Sequence, residues 1–105
     1  MGLDNFPDLP TIKIVRGKAN TFTWSFADGT TTFSATTEIE CTPIGLEKSC
    51  TLQNSDLEAT VTIKDSDLTL GTITQGTFTY ILQTDDGTDE TPVSWLGKLV
   101  LYTEP

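Results

Sequence analysis

Histidine is absent from this sequence of 105 residues, and cysteine occurs only twice. The commonest general base and the commonest metal ligand are therefore missing. Two cysteines without histidine also fall short of the four nitrogen and sulfur ligands that a structural zinc site usually needs. We expect no catalytic residues, no cofactor and no metal ion, and we predict that the protein is not an enzyme.

Basic charge and long apolar runs are also scarce. Six lysine and arginine residues face 15 aspartate and glutamate residues, which gives a net charge of -9. Such a surface repels phosphate backbones and anionic lipids, so we predict neither a nucleic-acid partner nor a membrane partner. No apolar run approaches the ~20 residues of a membrane span. The acidic N-terminus lacks the basic region of a signal peptide.

Short alternating segments separated by turn residues dominate the rest of the sequence. In the clearest of them, Phe22, Trp24 and Phe26 alternate with polar residues and are expected to share one buried face. About seven such segments predict an all-β fold, an antiparallel Ig-like β-sandwich over residues 11–105. The predicted strands cover 11–15, 20–26, 36–42, 49–53, 58–64, 77–84 and 91–103. Gly97 is expected to mark a bulge or a tight packing point.

Residues 1–10 are predicted to form an extended N-terminal arm. Pro7 and Pro10 favour an extended path. Leu3, Phe6 and Leu9 are the large apolar residues of this segment, and such spaced anchors suit docking on a neighbouring molecule. We therefore predict these three residues as partner-binding residues.

Cys41 and Cys50 flank a predicted hairpin turn near Ile44 to Leu46. The hairpin could bring the two side chains together in a cross-strand disulfide. The alternative is a pair of buried thiols that fill core space, which is the default in a reducing compartment. Neither cysteine is expected to be a nucleophile, because the sequence has no histidine to generate a thiolate.

Acidic and aromatic residues offer two further candidate sites. The segment 85–90 could suggest calcium, but its spacing does not match an EF-hand loop, and a solvated hairpin tip explains it better. Asp65 and Asp67 could likewise suggest a calcium site, but capping of a short helical turn explains them better. Trp24 and Trp95 could form a sugar-stacking platform. Their positions on apolar-patterned faces favour core packing.

A resemblance to a known family rests on the order of several short motifs. They are Val15-Arg16-Gly17, then Thr21 to Gly29, then Ser66-Asp67-Leu68-Thr69, then Gln75 to Tyr80, and finally Leu96 to Leu101. Over residues 11–103 this order resembles the β-sandwich domain of phage virion proteins, which occurs at the N-terminus of baseplate upper proteins and in related minor structural proteins. The family's Asp-Leu-Thr-Gly segment is replaced here by Phe33-Ser34-Ala35-Thr36.

The resemblance implies a phage virion structural protein that acts by protein–protein binding. The family domain is usually one part of a longer chain, whereas here it is expected to be a free-standing subunit. This expectation favours a small capsid decoration or head-surface subunit. A baseplate or tail adaptor and a carbohydrate- or receptor-binding module are the alternatives. The expected partners are other virion proteins and further copies of this chain, for example in a trimer. The expected location is the virion, assembled in the host cytoplasm.

Overall fold

The computed structural model describes residues 9–26, 29–85 and 92–104, with side chains described in 9–26, 29–84 and 94–104. This part of the chain is mostly β-structure, so the predicted all-β fold is confirmed. Its strands are β1 (Ile12–Val15), β2 (Asn20–Ser25), β3 (Glu38–Cys41), β4 (Leu46–Ser49), β5 (Thr51–Gln53), β6 (Glu58–Ile63), β7 (Gly76–Asp85) and β8 (Pro92–Tyr102). Single turns of 3-10 helix occupy Thr42–Ile44 and Asp65–Asp67.

The strands form two sheets. One has five strands in the order β1-β8-β7-β3-β4, and the other has three strands in the order β2-β6-β5. The pairs are antiparallel except that β1 lies parallel to β8. A parallel pair needs a long connection between its strands, and here nearly the whole domain lies between β1 and β8. The expectation of a purely antiparallel arrangement is therefore wrong at this one pair.

The core lies between the two sheets and follows the predicted alternation. Trp24 is 2% exposed and Phe26 is 3% exposed, whereas Phe22 is half-buried at the margin of the core. Strand β6 alternates in the same way, with Ala59, Val61 and Ile63 buried. Because side chains alternate between the two faces of a strand, the threonines between these residues face solvent.

The predicted return strand 49–53 is wrong in its boundaries and in being one strand. Gly45 has a left-handed φ of 68° and closes the preceding 3-10 turn, so pairing resumes at once with Leu46 opposite Cys41. The chain then leaves this sheet at Cys50, whose backbone N–H donates to the carbonyl oxygen of Thr37 at 2.9 Å. Strand β5 begins at the next residue but belongs to the other sheet.

A chain of hydrogen bonds joins the two sheets across the core. The indole Nε1 of Trp24 donates to the Tyr80 hydroxyl at 3.2 Å, and that hydroxyl donates to the carbonyl oxygen of Pro10 at 2.6 Å. Burial raises the pKa of Tyr80 to about 12. A Cβ placed on Gly97 would lie 2.6 Å from the Tyr80 ring and 2.8 Å from the Leu9 Cβ. Gly97 is therefore a tight packing point, and the β7–β8 register continues through it without a bulge.

Candidate functional site

The candidate site is the solvent-facing side of the five-stranded sheet, which we call the outer face. Its centre is Leu96, whose side chain is 64% exposed. Among the residues with described side chains, Leu96 is the one exposed large hydrophobic residue. Ile81 lies directly opposite it on β7 and is half-buried. An exposed apolar centre on a broad sheet is the kind of surface that protein partners cover.

Further apolar side chains extend this centre towards β1. Val100, Tyr102 and Val15 alternate outward along β8 and β1, and each is half-buried. A shallow depression of about 440 Å³ lies beside Leu96 on the β7–β8 pair. It is lined by Thr77, Phe78, Thr79, Leu96, Gly97 and Lys98.

Charges on the outer face are separated by sign. Glu38, Glu40 and Glu47 lie on β3 and β4, with Glu40 directly opposite Glu47. Lys13 and Lys98 lie on β1 and β8, at the other side of the apolar centre. None of these five side chains forms an ion pair within the described part of the chain. Like charges placed directly opposite each other on a sheet are unfavourable, so the acidic half would gain from a cationic partner.

Of the predicted partner-binding residues, the structure describes only Leu9. Leu9 is 7% exposed and belongs to the core, where its Cβ approaches the backbone at Gly97. Most of its apolar surface is therefore used within this chain. Leu3 and Phe6 lie outside the described residues, so their predicted role in binding stays a prediction.

Both cysteines are free thiols in the structure. The Cys41 thiol is buried and donates to the carbonyl oxygen of Thr79 at 3.4 Å, and burial raises its pKa. Burial, with a smaller effect of the nearby Glu38 carboxylate, raises the pKa of Cys50 to about 12. A raised pKa keeps a thiol protonated and makes it a poor nucleophile at neutral pH.

The register of the β3–β4 hairpin explains why the cysteines do not meet. Ser49 lies opposite Glu38, so Cys50 is level with Thr37, four residues along β3 from Cys41. At roughly 3.4 Å per residue this puts the two α-carbons more than about 10 Å apart. A disulfide requires about 7 Å or less, so this alternative would need the backbone to move.

The two aspartates of the second 3-10 turn connect this turn to neighbouring strands. Asp65 accepts hydrogen bonds from Arg16 Nε at 3.1 Å and from the Gly17 N–H at 3.2 Å, and both lower its pKa. Asp67 accepts from the Lys64 N–H at 2.8 Å and from Lys48 Nζ at 2.9 Å, which likewise lower its pKa. These carboxylates tie the turn to the end of β1 and to β4.

The other acidic candidate, segment 85–90, falls almost wholly outside the described residues. Within the described part of the chain, no three side chains of the metal-ligating types come together in a group that could hold a metal ion. In the same part, no helix is long and apolar enough to cross a membrane.

The two tryptophans do not form a shared exposed platform. Trp24 is buried beside Tyr80, with 6.0 Å between ring centroids. Trp95 is half-buried and packs edge-on against Phe26 at 5.7 Å. Both rings therefore contribute to packing between the sheets.

Sequence reasoning missed the outer face, although a signal for it was present. Leu96 follows the inward Trp95, and Ile81 stands between the inward Tyr80 and Leu82. In a strand with one wet face, consecutive apolar residues place one of them outward. Reading both faces of β7 and β8 would have predicted the exposed apolar centre.

Comparison with known proteins finds no matching family model and no matching curated protein.

Proposed function

We propose that this protein is a phage virion structural protein, a small capsid decoration subunit that acts by binding other proteins. The observation that carries the proposal is the outer face, where Leu96 is exposed among charged side chains that lack partners in the described part of the chain. Surfaces of this composition gain stability when another protein covers them. The motif order from Val15 to Leu101 supplies the link to phage virion proteins.

We further propose that the sandwich is Ig-like. The three-stranded sheet β2-β6-β5 has the order B-E-D of immunoglobulin domains, and β8-β7-β3-β4 has the order G-F-C-C′. In this assignment β4 corresponds to C′, one of the two strands that variable-type domains add to the seven-stranded plan. The broad G-F-C-C′ sheet is the one that carries the outer face.

A rigid sheet suits a subunit present in many copies. Its backbone is already fixed by ladder hydrogen bonds, so binding costs little conformational entropy. Many weak contacts on one particle then add through avidity. The net charge of -9 keeps such a subunit soluble and repels packaged nucleic acid.

Binding to undecorated capsids of the parent phage tests the proposal. We expect the full chain to co-sediment with capsids and to saturate at a fixed ratio to the capsid subunit. Absence of saturable binding would overturn the capsid assignment, and binding to isolated tails alone would overturn it in favour of a tail adaptor.

The predicted arm contact is tested in the same assay. A Leu3→Ser, Phe6→Ser double variant should bind capsids at least about tenfold more weakly, a loss of about 1.4 kcal/mol. The matched control is Thr23→Ser, on the exposed side of β2, which should bind like the wild type. Equal binding by the double variant would show that the arm does not contact the capsid.

A further inference from the structure

We propose that the outer face binds a second copy of this chain, and that the two copies form a two-fold dimer with their five-stranded sheets packed face to face. The inference rests on the proposed function in one respect, that the outer face is a contact surface between subunits. It adds the partner, the symmetry and the residues that set the orientation.

The positions of the outer-face residues follow from the strand register. One row across the sheet reads Glu47, Glu40, Ile81 and Leu96, from the β4 edge to β8. Lys98 lies one outward position beyond Leu96 on β8. Lys13 lies further in the same direction, because its partner is Val100. With strands about 4.8 Å apart and about 3.4 Å per residue, the acidic and basic groups are centred roughly 18 Å apart.

This charge arrangement is complementary to itself. A two-fold axis can lie midway between two stacked sheets and parallel to both. It can be placed at right angles to the line that joins the acidic and basic groups, at the midpoint of that line. Rotation about that axis lays the acidic half of each copy over the basic half of the other. The same operation brings the two Leu96 side chains together near the axis. Such a contact is isologous, since each copy contributes the same patch.

The size of the face fits a dimer of this kind. Five strands give a width of roughly 20–25 Å, and the ten residues of β7 give a central length of roughly 33 Å. The outer strands are shorter, so summing the five strand lengths gives a flat area on the order of 550 Å², before the projecting side chains are counted. Stable protein–protein interfaces bury about 800 Å² on each partner. Stacked sheets in sandwiches pack in the same way, about 10 Å apart.

The apolar centre and the charges contribute differently. Each copy has a net charge of -9, so long-range repulsion opposes association. Burial of Leu96, Ile81 and their neighbours must therefore supply the attraction. The Glu–Lys contacts across the interface set the orientation, which is the usual role of charged pairs at interfaces.

Sedimentation equilibrium of the full chain over a concentration series tests the dimer. We expect a monomer–dimer equilibrium, with the mass rising from 11.4 kDa towards twice that value. A monomer at every concentration, or a trimer, would overturn the proposal. Leu96→Asp should weaken dimerisation at least about tenfold, and the matched variant Thr23→Asp, on the other sheet, should leave it unchanged. Equal effects of the two variants would also overturn it.

Charge reversal tests the orientation and guards against misfolding. The variant Lys13→Glu, Lys98→Glu makes the outer face wholly acidic, and Glu38→Lys, Glu40→Lys reverses two charges of the acidic half. Each alone should dimerise at least about tenfold more weakly than the wild type. A one-to-one mixture should form a heterodimer, because the mixed pair carries the same total charge as the wild-type pair and restores opposite charges across the interface. Failure of the mixture to associate would overturn the two-fold arrangement.

The capsid assay separates this inference from the proposed function. A protein that stays monomeric but saturates capsids contradicts the dimer alone. A dimer that ignores capsids and tails contradicts the virion assignment alone.

Discussion

The solvent-facing sides of the two sheets differ sharply although both are built from alternating strands. On the three-stranded sheet, threonine hydroxyls pair across the strands, Thr21 with Thr62 at 2.9 Å and Thr23 with Thr60 at 3.0 Å. We call this side the threonine face. On the outer face, by contrast, Leu96 is 64% exposed and the flanking charges lack partners in the described part of the chain.

The difference shows how one fold can carry two kinds of surface. Paired hydroxyls satisfy one another and also bind water, so the threonine face is complete without a partner. The outer face leaves apolar area in water and like charges side by side, and another protein can relieve both. The inward residues, which specify the fold, are mostly apolar in both sheets, although Thr84 on β7 is polar and buried. Only the outward positions distinguish the two surfaces.

Trp24→Ala should have the largest effect on stability, because the side chain is buried behind the threonine face and donates to Tyr80. Removing it should lower the free energy of unfolding by about 3–5 kcal/mol. Leu96→Ala, an apolar truncation on the outer face, should change it by less than about 0.5 kcal/mol. Urea unfolding of both variants measures this contrast, and a loss below about 1 kcal/mol for Trp24→Ala would contradict the assigned core.

Gly97→Ala should have the next largest effect on stability, because the core leaves no room for the added Cβ. The variant tests how tightly the five-stranded sheet packs on the core. The added Cβ would lie 2.6 Å from the Tyr80 ring and 2.8 Å from the Leu9 Cβ. Overpacking of this kind costs about 1–3 kcal/mol. Ser94→Ala, at an exposed position of the same strand, is the control for urea unfolding. Equal stability of the two variants would contradict the close packing of Tyr80 and Leu9 against Gly97.

Alkaline pH should lower the free energy of unfolding through Cys50, which lies where the chain passes from the five-stranded sheet to the three-stranded sheet. Burial raises the pKa of Cys50 to about 12 in the folded state, against about 8.5 in an unfolded chain. The resulting stabilisation is complete below pH ~8.5 and is lost as the pH rises towards 12. Unfolding at pH 7 to 10 should therefore show falling stability, with a shallower slope in Cys50→Ala. Identical slopes would contradict the burial of this thiol.

Thr23→Val should have the smallest effect, because it removes one of the hydroxyl pairs that complete the threonine face. The pair is exposed, and valine keeps the β-branched shape that suits a strand. We expect the free energy of unfolding to change by less than about 0.5 kcal/mol and the sedimentation behaviour to stay that of the wild type. If Thr23→Val altered self-association as strongly as Leu96→Asp, the distinction between the two faces would be contradicted.

The sequence was informative wherever one face of a strand meets the core. Alternation alone predicts that Trp24 and Phe26 point inward, and both are buried. The transfer of the chain between sheets at Cys50 was missed, because alternation does not say which sheet a short strand joins. The parallel β1–β8 pair was missed for a related reason, since pairing between distant segments leaves no local pattern.

The candidate site was less predictable than the fold. The separation of Glu40 from Lys98 across the outer face depends on strand order, and strand order comes from tertiary pairing. The predicted arm residue Leu9 proved to be buried, because the chain beside Gly97 leaves space for its side chain. An apolar residue near a terminus can pack in the chain's own core or can bind a partner. The spacing of such residues in the sequence does not distinguish these two roles.

Hydroxyl-radical footprinting at two protein concentrations tests the central claim most directly, because it reports the exposure of single side chains. At high concentration we expect Leu96 and Ile81 to be protected from oxidation, whereas half-buried Phe22 in the other sheet keeps the rate it has in dilute protein. Oxidation of Leu96 at the same rate at both concentrations would contradict the account.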